Sequence, residues 1–223
     1  MEINADFTKI ATEKTNELPW IPSPMKGVDR RMLDRIGGEV ARATTIVRYA
    51  VGSAFSSHTH IGGEEFIVLE GVFQDEHGDY PAGTYVRNPI GTAHTPRSDD
   101  GCTIFVKLWQ FRDDDKLQFA KNLDEVELFS VNDRFSSAVL FENEEEKVEL
   151  QQWSKGIVEL GSDGGVELLI LDGGFEMNGT QYQKNDWVRL PDGKVVQANV
   201  TDAGVRFWMK SGHLSHVKVP NQK

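Results

Sequence analysis

The chain has 223 residues, 39% of them hydrophobic and 26% charged, enough apolar content for a globular core. Its formal charge of −11 argues against nucleic acid and anionic membranes as partners, because both would repel it. A single cysteine, Cys102, excludes an internal disulfide and a multi-cysteine zinc site; it is expected to pack as a small hydrophobe in a reduced compartment.

The first residues, Met1 to Glu17, lack a basic segment followed by an apolar run, and no later stretch is long enough to span a bilayer. A cytoplasmic protein is expected. Phe7 to Thr15 and Lys116 to Asn122 are the only segments that suggest helical turns. Strands are predicted at Ala43 to Val51, Glu65 to Leu69, Thr84 to Arg87 and Thr103 to Trp109, all rich in β-branched and aromatic residues. Between them stand turn signals such as His77-Gly78-Asp79, Pro81-Ala82-Gly83 and Asp99-Asp100-Gly101. Asp113-Asp114-Asp115 is expected to be a solvated link, and Glu144-Glu145-Glu146 a solvated turn. Strands at Glu167 to Leu171, Trp187 to Leu190 and Val205 to Lys210 repeat the plan. Short, evenly spaced strands of this kind predict all-β sandwiches or barrels.

The second half echoes the first at an offset of 102. Gly62-Gly63 meets Gly164-Gly165, Gly71 meets Gly173, Val86-Arg87 meets Val188-Arg189, Pro89 meets Pro191 and Gly91 meets Gly193. Asp100 meets Asp202, and Phe105 meets Phe207. Residues 62 to 107 hold 13 identities in 46 ungapped positions, where roughly three would follow from average residue usage. They fall on turn glycines, a proline and core-type residues, which is the signature of a duplicated fold. The expected division is 1–118 and 119–223.

His58 and His60 lie two apart, so on a strand both imidazoles share one face. Glu64 has matching parity, with Glu65 as the rival carboxylate beside it. His94 can return from a neighbouring strand behind the turn Asn88-Pro89-Ile90-Gly91. Three imidazoles and a carboxylate suit zinc, iron, manganese, nickel or cobalt better than calcium or magnesium, which prefer oxygen shells. His77, His213 and His216 are expected at the surface. The five tryptophans, with Phe55, Phe66 and Tyr85, are expected mainly as core or interface anchors.

Gly52, His58-Thr59-His60, Glu64 and Gly71 resemble the first motif of the cupin superfamily. Gly83, Pro89-Ile90-Gly91 and His94 resemble the second, with Ser98 where that motif has an asparagine. The likeness is closer to the cupin-like domain of ChrR anti-sigma factors. It is carried by His58-Thr59-His60-Ile61-Gly62-Gly63-Glu64-Glu65, Val68-Leu69-Glu70-Gly71-Val72-Phe73, Asp75 to Gly83, Tyr85 to Pro89 and Gly101 to Leu108. The resemblance implies two jelly-roll barrels in tandem and a metal held by His58, His60, Glu64 and His94. The spacing to Gly71 and the resemblance both favour Glu64 over Glu65.

At the same offset the four positions become Leu160, Ser162, Val166 and Val196, so the second half is expected to be a degenerate cupin without metal ligands. The resemblance implies a sensory or regulatory protein of the stress response, with zinc the favoured metal and a sigma factor as partner. Only about 20 residues precede the cupin region, without the cysteine pair of the family's anti-sigma domain, which weakens that implication. The alternative it implies is an oxygenase with iron, manganese or nickel that acts on a small molecule such as a diketone. Monomer and homodimer are both compatible with a duplicated barrel.

Overall fold

The computed structural model describes residues 1–220, and the described part is built from antiparallel strands and three short 3₁₀ turns, with no α-helix. Two compact units emerge. Among the described residues, one comprises Met1–Ala5, Pro19–Glu125 and 218–220; the other comprises Asp6–Leu18 and Val126–Val217. This partition differs from a cut at 118/119 at both ends, for reasons of strand pairing. Phe119–Asn122 pairs with Thr84–Asn88, so the first unit runs on to Glu125. Ala11–Glu13 pairs with Trp187–Leu190 and so joins the second.

Within the two segments expected to be helical turns, strands form instead at Ala11–Glu13 and Phe119–Asn122. In both, pairing with an open sheet edge satisfies backbone groups that a short isolated helix would leave unpaired at its ends. Thr15–Glu17 keeps a 3₁₀ turn, fixed by the Thr15 hydroxyl donating to the Asn185 carbonyl at 2.8 Å. The guanidinium of Arg189 lies 4.0 Å over the Phe7 ring.

In the first unit the strands run Glu2–Ile3, Val28–Gly37, Ala41–Tyr49, Cys102–Leu108, Glu64–Asp75, Thr84–Asn88 and Phe119–Asn122 across one sheet. The strand Glu64–Asp75 does two jobs. Its first half pairs with Cys102–Leu108 and Thr84–Asn88, while its second half turns away to pair with Gly78–Pro81 and Arg97. The change of direction is at Gly71, where φ is +72° and a Cβ would overlap the Gly101 carbonyl oxygen. Only glycine tolerates both conditions. Along this strand Phe66, Val68 and Phe73 enter an apolar core with Val28, Val47, Val86, Cys102, Ile104 and Val106. Cys102 is thus the buried hydrophobe the sequence suggests.

In the second unit the order is Phe129–Asn132, Phe135–Glu142, Lys147–Trp153, Val196–Ser211, Val166–Met177, Trp187–Leu190 and Ala11–Glu13. The same pairings recur at the offset of 102: Val86 faces Phe66, and Val188 faces Leu168. One correction concerns the last matched strand. Cys102 faces Gly71 and Lys107 faces Glu65, whereas Val205 faces Gly173 and Lys210 faces Glu167, an offset of 103. The turn before this strand is therefore one residue longer in the second unit, and Phe105 corresponds in space to Trp208 rather than Phe207.

Three polar groups expected in solvent are buried instead. Asp115 accepts from Arg87 at 2.5 Å, Glu146 accepts from Lys210 at 2.7 Å, and His213 Nε2 lies 3.2 Å from Glu167. Each neutralises or satisfies a buried partner, which is what makes its burial tolerable.

Candidate metal centre

His58 lies on a two-residue strand, His58–Thr59, that pairs with Ala93–His94 so that His58 faces His94 directly. His60 follows and is pinned by its backbone: its N–H donates to Thr92 O at 2.8 Å, and its carbonyl accepts from Gly91 N at 3.0 Å. Glu64 opens the strand Glu64–Asp75. All four expected side chains converge, with one ligand atom from each lying within 4.8 Å of the others. The three imidazole centroids are 4.6–5.1 Å apart. Glu64 Oε1 is 3.4 Å from His60 Nε2 and 3.6 Å from His94 Nε2. Glu65 points to the opposite face, where its carboxylate accepts from Tyr85 at 2.7 Å and Arg87 at 3.1 Å.

The hydrogen bonds around the rings fix which nitrogens face inward. Thr92 Oγ1 donates its single proton to Pro89 O at 2.7 Å, so at 2.9 Å from His60 Nδ1 it must accept. His60 then carries its proton on Nδ1 and presents a bare Nε2, which is buried with no hydrogen-bond partner. His94 Nδ1 donates to Asp75 Oδ2 at 3.1 Å, which leaves its Nε2 bare as well. Two imidazole lone pairs therefore confront a carboxylate oxygen. Such an arrangement is repulsive on its own and becomes favourable around a cation, so the residues present fit a divalent metal.

The electrostatics agree for His58 and His60. Burial, reinforced by the neighbouring His94, lowers the His58 pKa and pushes that of His60 down to about 3, so both are held in the neutral, ligating form. Burial also raises Glu64. His94 feels the same burial, but the bond to Asp75 and the charge of Glu64 outweigh it and raise its pKa.

Asp75 was not visible in the sequence as part of the site. Its Oδ1 accepts from the backbone of His77 at 2.8 Å and Gly78 at 3.2 Å and from the Tyr80 hydroxyl at 3.3 Å. This anchors the carboxylate that orients His94. The only hint in the chain was its place at the head of the Asp75–Gly78 turn, where an Asp commonly accepts backbone N–H groups. His77 itself is exposed, as expected.

The group opens to solvent on one side. His58 is exposed, and a cleft of about 420 Å³ is lined by His58, His60 and Glu64 together with Val40, Leu108 and Trp109. Trp109 has φ +61°, a left-handed conformation that costs a bulky residue about 1–3 kcal/mol. Its amide donates to Gly63 O at 3.2 Å, and its indole occupies the space that a Gly62 Cβ would need. The glycine pair between His60 and Glu64 thus exists to seat Trp109 and, next to it, Phe111.

In the second unit the equivalent cross-strand pair is Leu160 facing Val196. Both belong with Val166 to one apolar cluster, and the counterpart of Asp75 there is Met177 in the same cluster. The pairing that presents two histidines in one unit presents two aliphatic side chains in the other.

Residues 8–112 match the family described as the ChrR cupin-like domain. This region is similar to ChrR cupin-like domains. Solved structures extend the cupin likeness to the fold of the whole chain. A presumed dioxygenase from Nostoc punctiforme is similar over 100% of this chain and 86% of its own, with a TM-score of 0.68 at 13% identity. Oxalate decarboxylase from Bacillus subtilis is similar over 91% and 77%, with a TM-score of 0.62 at 12% identity; another structure of that enzyme concerns its Mn(II) centres. A cupin 2 conserved barrel domain protein from Leptotrichia buccalis is similar over 86% and 92%, with a TM-score of 0.60 at 12% identity. No curated protein matches the chain. The matched region thus carries a His₃Glu group of metal-binding type in an all-β cupin fold.

Proposed function

We propose that His58, His60, Glu64 and His94 hold one divalent cation, and that this centre acts on a small oxygen-bearing molecule admitted through the adjoining cleft. The observation that carries the reading is the exposure of His58 in the lining of that cleft: a purely structural ion would be closed off by its protein shell. When bound, an iron, manganese or nickel ion would supply Lewis acidity and redox chemistry with O₂. The chain's own residues have separate tasks. Thr92 and Asp75 hold the rings of His60 and His94 in their ligating tautomers. Glu64 offsets part of the cation's charge. Leu108 and Trp109 keep one flank of the site apolar. The reaction class expected is oxygenase-type cleavage of a small molecule such as a diketone, and the fold shared with a presumed dioxygenase and a decarboxylase supports a metal-dependent enzyme.

A second reading draws on the ChrR match itself. In it the ion is zinc, the site is sensory, and the partner is a sigma factor in a stress response. In either reading the second unit is a degenerate copy without a metal. One experiment separates the two. Protein purified without added metal is analysed for its elements, then assayed for O₂ uptake with acetylacetone. Iron or manganese with O₂ uptake supports the enzyme; stoichiometric zinc, no uptake and co-purification of a sigma factor would replace it with the sensor.

A further inference from the structure

The strand Val28–Gly37 alternates its side chains across the sheet, with one extra residue where its register shifts between Met32 and Asp34. The alternation sets Arg30 on the same face as Val28, a member of the apolar core, and the extra residue brings Arg35 to that face as well. Arg35 is 6% exposed, and its guanidinium donates to the Gly38 carbonyl. Arg30 is half-buried; its Nε is enclosed, and among the described residues its guanidinium has no hydrogen bond and no ion pair. The other arginines with an enclosed, unbonded nitrogen each have a partner elsewhere on the group. Arg31 lies over Trp20, Arg42 meets Asp34, Arg87 meets Glu65 and Asp115, and Arg189 lies over Phe7. A cation withdrawn from water without a counter-charge is destabilising. Here a second one stands beside it: burial lowers the Arg35 pKa, and the neighbouring Arg30 lowers it further.

The surroundings on this face are apolar. Ile3 faces Arg35, Ile21 faces Arg30 and is 44% exposed, and Met32 lies between the two arginines. Glu39, just past the carbonyl that Arg35 grips, acts on Arg35 in the opposite sense and leaves the group a single net positive charge. That charge matches a carboxylate better than a doubly charged phosphate. The pair is also separate from the four clustered side chains. The cross-strand row from Arg35 passes Ala43 and Leu108 before it reaches Glu64, three strand spacings or about 14 Å along the sheet.

We propose that Arg30 and Arg35 form a binding site for the carboxylate of a small organic acid, whose apolar body lies over Ile21 and Met32. The planar fork of a guanidinium pairs two donors with the two carboxylate oxygens, and the bound anion supplies the counter-charge that Arg30 lacks. The site does not depend on a metal.

Calorimetric titration of the full chain with hexanoate and with hexanol tests this, on protein as purified and on protein stripped of metal by EDTA and dialysed. Hexanoate is expected to bind both preparations alike, at least about tenfold tighter than hexanol, and to weaken as salt rises. Arg30→Met keeps an unbranched apolar stem and should weaken hexanoate about tenfold. Arg30→Lys restores the charge without the fork and should recover only part of the affinity. Thermal unfolding without ligand gives a reading that a structural arginine would not. In Arg30→Met the midpoint should hold or rise by about 2–4 °C, because an unpaired buried charge has gone. A lowered midpoint, or a variant that does not fold, would show that Arg30 supports the fold and would overturn the site. So would equal binding of hexanoate and hexanol, equal hexanoate binding by Arg30→Met and wild type, or binding that disappears with the metal.

Discussion

At the scale of single residues, the site depends on orientation as much as on ligand identity. His60 and His94 each spend one ring nitrogen on a fixed acceptor, so the other is bare and aimed at Glu64. A carboxylate that anchors a ligating histidine typically accounts for about 10–100-fold in metal affinity. Asp75→Asn is therefore expected to weaken Co(II) or Zn(II) binding by about that factor in a competition titration, without abolishing it. His94→Ala should remove stoichiometric binding altogether. Equal affinity in Asp75→Asn and wild type would show that His94 does not need this anchor. The four converging side chains were legible in the sequence because their types are rare and their spacing has the right parity. Asp75, Thr92 and Trp109 were not. Their roles are fixed by contacts across strands, and aspartate, threonine and tryptophan have many ordinary uses.

At the scale of elements, each unit turns on one bent strand. Glu64–Asp75 and Val166–Met177 have equal length, and both cross from one set of partners to another at a glycine with positive φ. At Gly71 a Cβ would overlap Gly101 O, and at Gly173 it would overlap Gly204 O. Gly71→Ala combines a backbone clash with a left-handed conformation, and is expected to destabilise the protein by about 2–3 kcal/mol or to prevent folding. Urea unfolding measures this, with Gly91→Ala as the control, since a Cβ there meets nothing within 4 Å. The control shares a positive φ of +90°, so it reports backbone strain alone. Similar losses at both positions would show that the contact at Gly71 contributes little. Strand existence was readable from β-branched runs between turns. The strands at Ala11–Glu13 and Phe119–Asn122 were not, because each is formed by a distant sheet edge rather than by its own composition. The one-residue lengthening near Gly204 was hidden for a similar reason: an ungapped match tolerates a slip wherever both registers supply apolar residues.

At the scale of the whole molecule, matching strand pairings in the two units carry different side-chain chemistry. The register that sets His58 against His94 sets Leu160 against Val196, and the second pair belongs to an apolar cluster. Metal should therefore stabilise the first unit alone. Chelation is expected to lower thermal stability by an amount that grows with the logarithm of free metal over its dissociation constant. Leu160→Ala should cost about 2–5 kcal/mol through the cavity it leaves, with metal content unchanged. Loss of metal in Leu160→Ala would mean that the second unit takes part in binding. The matching strand pairings of the two units were foreshadowed by turn glycines and a proline at constant offset. The buried partners of Asp115, Glu146 and His213 were not, since acidic runs and late histidines ordinarily face water.

The central claim is that four side chains, far apart in the chain, enclose one cation in the first unit and that the matching place in the second encloses none. Anomalous diffraction from crystals grown with Mn(II) addresses it directly. A single strong peak is expected at about 2.0–2.3 Å from His58, His60, Glu64 and His94, with nothing between Leu160, Val166 and Val196. Absence of that peak, or a peak bound by other residues, would contradict the account.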